Sequence, residues 1–222
     1  MKTYILKKIL LIAGCVLAAL SPLARADDAD FSKIERSIER ALYRNDVALL
    51  AEADGELAKA LAAEPKRPEL RYLEGFAAYA RATFEYATND KKALRLGLEL
   101  ADELLAKVKG EPWEHEALAL RGYITGQLIG VRGRMSGMTL GPKMMRQTTE
   151  ALDGTPPSGR TLMFHGVTLL NTPETFGGDP AEALRLFTRA KAAFEKEAAG
   201  WGAAEACYWL ARARMKAGDF AG

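Results

Sequence analysis

The residues able to do chemistry are few: among 222 residues there are two histidines and two cysteines. That stock is thin for metal ligation and for nucleophilic or acid–base catalysis. His115 stands in Glu114-His115-Glu116, which has the residue types for metal or proton-transfer chemistry; at the start of an exposed helix it reads instead as a solvated histidine. His165 lies beside Gly166 on a face that packs within a helical hairpin, the setting of a hydrogen-bonded core histidine. Cys207 falls at an inward-facing place and reads as a small buried hydrophobe. Gly130-Val131-Arg132-Gly133 and Gly137 follow no strand and bring no Walker lysine, so a phosphate loop is not supported. A nucleophile elbow and a metalloprotease His-Glu pair are both missing. The expectation is no catalytic residue, no cofactor and no metal, hence no enzyme.

One local asymmetry stands out. From Ala117 to Thr149 there is no acidic residue, whereas Arg121, Arg132, Arg134, Lys143 and Arg146 are all basic, and Met135, Met138, Met144 and Met145 share the segment. Arg132, Arg134, Lys143 and Arg146 thus form a candidate basic turn. Flexible methionines among cations suit an acidic partner surface, such as lipid headgroups, cell-wall polymers or an acidic protein. The other reading is a solvated loop whose methionines fold back onto the neighbouring helices.

The overall charge points away from nucleic acid. The chain has 31 basic and 29 acidic residues, but Lys2, Lys7, Lys8 and Arg25 belong to an N-terminal export signal. That signal comprises a basic start, an apolar run from Ile9 to Leu20 and the small-x-small site Ala24-Arg25-Ala26. Cleavage after Ala26 turns 31 basic residues into 27 against the same 29 acidic ones, a net charge of −2. A nucleic-acid partner then has no electrostatic motive. An apolar run of about 12 residues is too short to span a bilayer as a helix. Ile12-Ala13-Gly14-Cys15 also resembles a bacterial lipobox, which would acylate Cys15 and tether the protein to a membrane. Both readings export the protein, to the periplasm or beyond, and both leave Cys207 without an internal disulfide partner.

From residue 27 to 222 the pattern is helical. Phe31, Ile34, Ile38 and Leu42 recur at three- and four-residue steps, and no stretch alternates with period two. Helices are expected near 30–44, 46–63, 68–87, 90–109, 112–130, 142–152, 159–171, 180–198 and 202–216. Breakers such as Gly110 with Pro112, Gly141-Pro142 and Gly177-Gly178-Asp179-Pro180 separate them. Asp179 is the expected N-cap of the last of these starts, with Pro180 in the first turn and Glu182 completing a capping box. Small residues recur at Gly75, Gly122, Gly166 and Ala211, spaced 47, 44 and 45 apart. A period near 45 with two antiparallel helices per unit predicts an all-α chain, an α-solenoid of hairpins, with the small residue where two backbones come closest.

At these positions the chain resembles the tetratricopeptide repeat (TPR) family. Tyr72, Gly75 and Tyr79 match the bulky residue, glycine and aromatic of that family's first helix, and Glu64-Pro65 before Arg67-Pro68-Glu69 resembles its inter-repeat turn. The unit Trp209-Leu210-Ala211-Arg212-Ala213-Arg214 leading into Gly218-Asp219-Phe220 is similar too. The units are longer than the family's roughly 34 residues, as in exported bacterial members, and more distantly the chain resembles the T-component lipoproteins of TRAP transporters. The resemblance implies a scaffold presenting a concave groove to a protein or peptide of the cell envelope, with a small-ligand carrier or transporter accessory subunit as the alternative. The groove positions it implies are Tyr72, Phe76 and Tyr79, then Tyr123 and Gln127, then Met163 and Asn171, then Tyr208, Arg212 and Lys216. Some of these aromatics could instead fill the space between repeats. The repeat period also asks for a helix after Gly222, so the last hairpin is expected to be half built, either in a truncated chain or in a dimer joined through its C-terminal helix.

Overall fold

In a computed structural model, residues 28–196 and 201–218 are described. The expected signal over residues 1–26, Cys15 included, lies outside them. The described residues form nine α-helices and no strand: α1 (Asp28–Arg44), α2 (Val47–Ala63), α3 (Pro68–Thr88), α4 (Lys91–Leu105), α5 (Trp113–Arg132), α6 (Gly137–Glu150), α7 (Gly159–Asn171), α8 (Pro180–Phe194) and α9 (Ala203–Lys216). None of these is long and apolar enough to cross a membrane.

Helix starts follow local chemistry. Asp46, Asp90, Ser158 and Asp179 each accept a hydrogen bond from a first-turn backbone N–H, which satisfies donors that a helix leaves orphaned. The capping box expected at Asp179 is only half formed. Asp179 Oδ1 accepts from the Glu182 N–H at 2.8 Å, but the Asp179 N–H donates to the Leu169 carbonyl and the Glu182 carboxylate is engaged by Arg185. The turn expected between residues 130 and 142 is also shorter than its glycines suggest. α5 continues to Arg132, a single 3₁₀ turn spans Arg134–Ser136, and α6 starts at Gly137 with Pro142 inside it. Packing of α6 along α5 outweighs the breaker propensity of Gly141-Pro142.

Hairpins α3/α4, α5/α6 and α7/α8 pack pairwise; α1, α3, α5, α7 and α9 touch in succession as one layer, and each second helix also leans on the next first helix. The small residues mark the close approaches. A Cβ on Gly75 would come within 2.5 Å of Leu105 on α4, one on Gly122 within 2.3 Å of Thr148 on α6, and one on Gly166 within 2.8 Å of Phe187 on α8. Ala211 is exposed on α9, with no following helix among the described residues. The most enclosed element is α7, whose residues Gly159 to Leu170 are all buried.

Candidate functional site

The inner layer is aromatic, and it is closed. Ring contacts run without a break from Phe31 to Trp113, Tyr72, Phe76, Trp201, Phe164, Tyr123 and Tyr79, with centroids 4.1 to 6.5 Å apart. Trp201, just before α9, reaches across to α3. Its ring stacks on Phe76 at 4.1 Å and 13°, and its Nε1–H donates to the Tyr72 hydroxyl at 3.0 Å. Gly202, at φ +106°, makes the turn that allows it.

Beneath Trp201 lies a buried charge cluster. Arg160 on α7 donates from Nε to Glu116 on α5 at 2.7 Å, and from Nη1 to Glu35 on α1 and to the Trp201 carbonyl, both at 3.3 Å. All three charged side chains are buried. Burial alone would lower the Arg160 pKa; Glu116, Tyr72 and Glu35 overcome it and hold the guanidinium charged. Burial pushes the Glu35 carboxyl up, Arg160 opposes that, and Glu116 adds to it. One arginine thus ties α1, α5 and the Trp201 turn to the central helix.

This closure corrects the expectation of an open groove. Tyr72, Phe76 and Met163 are fully buried, the first two against Trp201 and the third beside Gly202, and Tyr79 is 6 % exposed, packed on Tyr123 and Gln127. Tyr123 and Gln127 are half-buried. Asn171 is exposed, with its Nδ2 donating to the Val167 carbonyl, and the Lys216 ammonium donates to the Leu170 carbonyl. Tyr208 and Arg212 are exposed on α9, the Arg212 guanidinium lying 5.7 Å over the Tyr208 ring and 5.1 Å over Trp209.

Beside the closed strip lies a cluster of tyrosines, some of them exposed. Tyr79 and Tyr123 meet edge to face at 6.2 Å, and Gln127 Nε2 donates to the Tyr79 hydroxyl at 3.2 Å. Three further tyrosines are half-exposed: Tyr86, which acts electrostatically on Tyr79, Tyr208, which acts on Tyr123, and Tyr43. The Tyr43 hydroxyl donates to the Glu205 carboxylate. Burial raises the Tyr79 and Tyr123 phenols, and the nearby Glu205 adds to the effect on both, so these hydroxyls stay protonated donors. Tyr43, Tyr86 and Glu205 lie on the same layer of helices as the expected Tyr79, Tyr123 and Tyr208, on α1, α3 and α9, but at places the count from each small residue did not select.

The remaining candidates resolve individually. His165 is a core histidine whose Nδ1 is 3.0 Å from Thr148 Oγ1. His115 departs from the solvated reading: its ring packs on Gly154 and bonds Glu111 at 2.7 Å and the Glu150 carbonyl at 3.3 Å. Cys207 departs too, being exposed, because the inward register of α9 is Ala206, Leu210 and Ala213. The basic turn is free of acids in sequence but not in space. Arg132 pairs with Glu99 at 2.6 Å, Lys143 with Asp102 at 2.9 Å and Arg146 with Glu150 at 3.8 Å, while Arg134 makes no ion pair among the described residues. Met135 and Met138 are exposed beside it. No group of three potential metal ligands occurs among the described residues.

No protein-family model matches the chain, and no curated protein matches it in sequence. Among solved structures the fold is similar to that of the HusA haemophore from Porphyromonas gingivalis, with a TM-score of 0.62 and 19% identity over 81% of this chain and 92% of that one. At that identity the likeness is one of fold.

Proposed function

We propose that this protein is an exported, non-enzymatic binding protein whose ligand seat is the tyrosine cluster of Tyr43, Tyr79, Tyr86, Tyr123 and Tyr208. The observation that supports it is the closure by Trp201. It buries Tyr72 and Phe76, where a peptide would have to lie, and leaves half-exposed phenol rings at Tyr43, Tyr86 and Tyr208, which suit a compact, planar ligand. The likeness in fold to a haemophore supports a carrier role on this stack of helical hairpins and makes haem the first ligand to test. Export rests on Lys2, Lys7, Lys8, the Ile9–Leu20 run and Ala24-Arg25-Ala26. The absence of enzymatic activity rests on the engagement of His115 and His165 in structural contacts.

Titration of the purified protein with haem, followed by absorbance, tests the reading. Saturable binding that Tyr208→Ala and Tyr86→Ala each weaken at least about fivefold, with unchanged melting temperature, is the expected result, from loss of aromatic contact area. Binding indifferent to both substitutions refutes the tyrosine cluster as the seat. A protein or peptide partner is the second reading, favoured by the exposed strip of Tyr208, Arg212 and Lys216 on α9. Crosslinking from a photoreactive group at position 212 in a cell-envelope extract, competed by haem or not, separates the two.

A further inference from the structure

The turn between α5 and α6 projects from the stack. α5 runs on from Gly122 to Arg132, ten residues, whereas α7 runs from Gly166 to Asn171, only five, and the two helices lie level where Tyr123 stacks on Phe164 at 4.8 Å. At 1.5 Å per residue the α5/α6 tip stands about 7–8 Å beyond the end of α7. Gly177 of the α7/α8 turn comes alongside α6 at Met145, eight residues after the first of that helix; a Cβ there would lie 3.7 Å from the Met145 methyl. At the projecting end Met135 and Met138 are 78% and 75% exposed. The turn beneath them satisfies its own backbone. The Gly133, Ser136 and Gly137 N–H groups donate to the Ile129, Gly133 and Arg134 carbonyls, and the Ser136 and Thr139 hydroxyls donate to the Gly133 and Ser136 carbonyls. Paired in this way, the polar groups leave water at reduced cost.

The charge around the tip is positive. Residues 85–99 and 130–138, which meet across a cleft between the α3/α4 turn and the end of α5, carry five cations against three carboxylates. Lys91 and Arg134 make no ion pair among the described residues, and Arg95 and Arg132 share the single carboxylate of Glu99. The α7/α8 turn also exposes a large ring, Phe176, but there the neighbouring charges in sequence are Glu174 and Asp179.

We infer that the α5/α6 tip docks on an anionic phospholipid bilayer, with Met135 and Met138 entering the boundary between headgroups and acyl chains and Arg134 and Lys91 lying against lipid phosphates. Of the acidic partners expected of this segment, a bilayer is the one these features fit. Two protruding, unbranched side chains fall far short of the roughly 20–30 residues that each side of a stable protein interface supplies, whereas interfacial insertion takes a small apolar wedge among cations. None of these residues belongs to the tyrosine cluster, and the docking stands whether or not haem binds there.

Vesicle sedimentation tests it with the chain from Asp27 onward, which holds all nine helices and lacks the apolar run that would bind lipid by itself. At millimolar lipid the protein is expected to partition onto phosphatidylcholine vesicles containing about 30% phosphatidylglycerol at least about tenfold more strongly than onto phosphatidylcholine alone, and to be released by salt. Met135→Ser with Met138→Ser is expected to weaken partitioning at least about tenfold, and Arg134→Ala about fivefold, with unchanged melting temperatures. An environment-sensitive dye on Met138→Cys, in a Cys207→Ser background, is expected to shift to shorter emission wavelength on binding. Equal partitioning onto both vesicles, partitioning that survives the serine pair, or a dye that stays in water while the protein is bound would each overturn the assignment. Capture by polyglutamate without any vesicle binding would assign the tip to an acidic protein instead, and would overturn it too.

Discussion

Gly122→Ala tests whether the 45-residue spacing of small residues reports helix contact. A methyl at Gly122 would lie 2.3 Å from Thr148 Cγ2, more than 1 Å inside ordinary contact, and the next nearest atoms are the Thr148 nitrogen at 3.3 Å and the Met144 carbonyl at 3.4 Å. Thr148 is not free to turn away. Its hydroxyl lies 3.2 Å from the Met144 and Met145 carbonyls and 3.0 Å from His165 Nδ1, which holds its rotamer. Overpacking of this kind costs about 1–3 kcal/mol, and the better helix propensity of alanine returns at most about 1 kcal/mol. Thr148→Ser removes the clashing methyl but keeps the hydroxyl, at about 1 kcal/mol for the lost buried group. In the double variant the alanine methyl fills the space that the threonine methyl leaves. The two substitutions should therefore couple favourably by about 2 kcal/mol, or roughly 4–8 °C in melting temperature for a chain of this length. Urea unfolding of the parent, both single variants and the double variant measures it. Additivity within about 0.5 kcal/mol would mean that α5 and α6 do not meet at this point, and the explanation of the repeat would fall.

Arg160→Met leaves Glu35 and Glu116 buried without their cation and should lower stability by about 3–5 kcal/mol in urea unfolding; a loss below about 1 kcal/mol would refute the clasp. His165 is held below its ordinary pKa by burial, so it stays neutral in the folded protein while the unfolded chain gains the proton. The stability it supports is present above about pH 6.5 and is lost as pH falls from there through the folded-state value; the melting temperature should drop less between pH 7.5 and 5 in His165→Gln than in the parent, and identical slopes would refute this.

The sequence by itself determined the local structure. Three- and four-residue periodicity, Asp and Ser caps and the Gly-Pro breakers are read within one or two turns of chain, and they place nine helices with ends shifted by a few residues. Gly75, Gly122 and Gly166 were legible for the same reason: a period reports pairwise contact between neighbouring helices, and the close approaches lie there. The misjudged start of α6 and the missing half of the box at Asp179 are places where packing or a distant carbonyl outbid a local preference. Only the tertiary structure decided which first-helix residues face solvent. Trp201 is separated by 125 residues from Phe76 and Arg160 by 125 from Glu35, and nothing in a repeat period tells that two such distant segments meet across the inner layer. The same holds for charge. Arg132 and Lys143 look unbalanced along the chain, yet Glu99 and Asp102 neutralise them from α4, because pairing depends on distance in space and not on order in sequence.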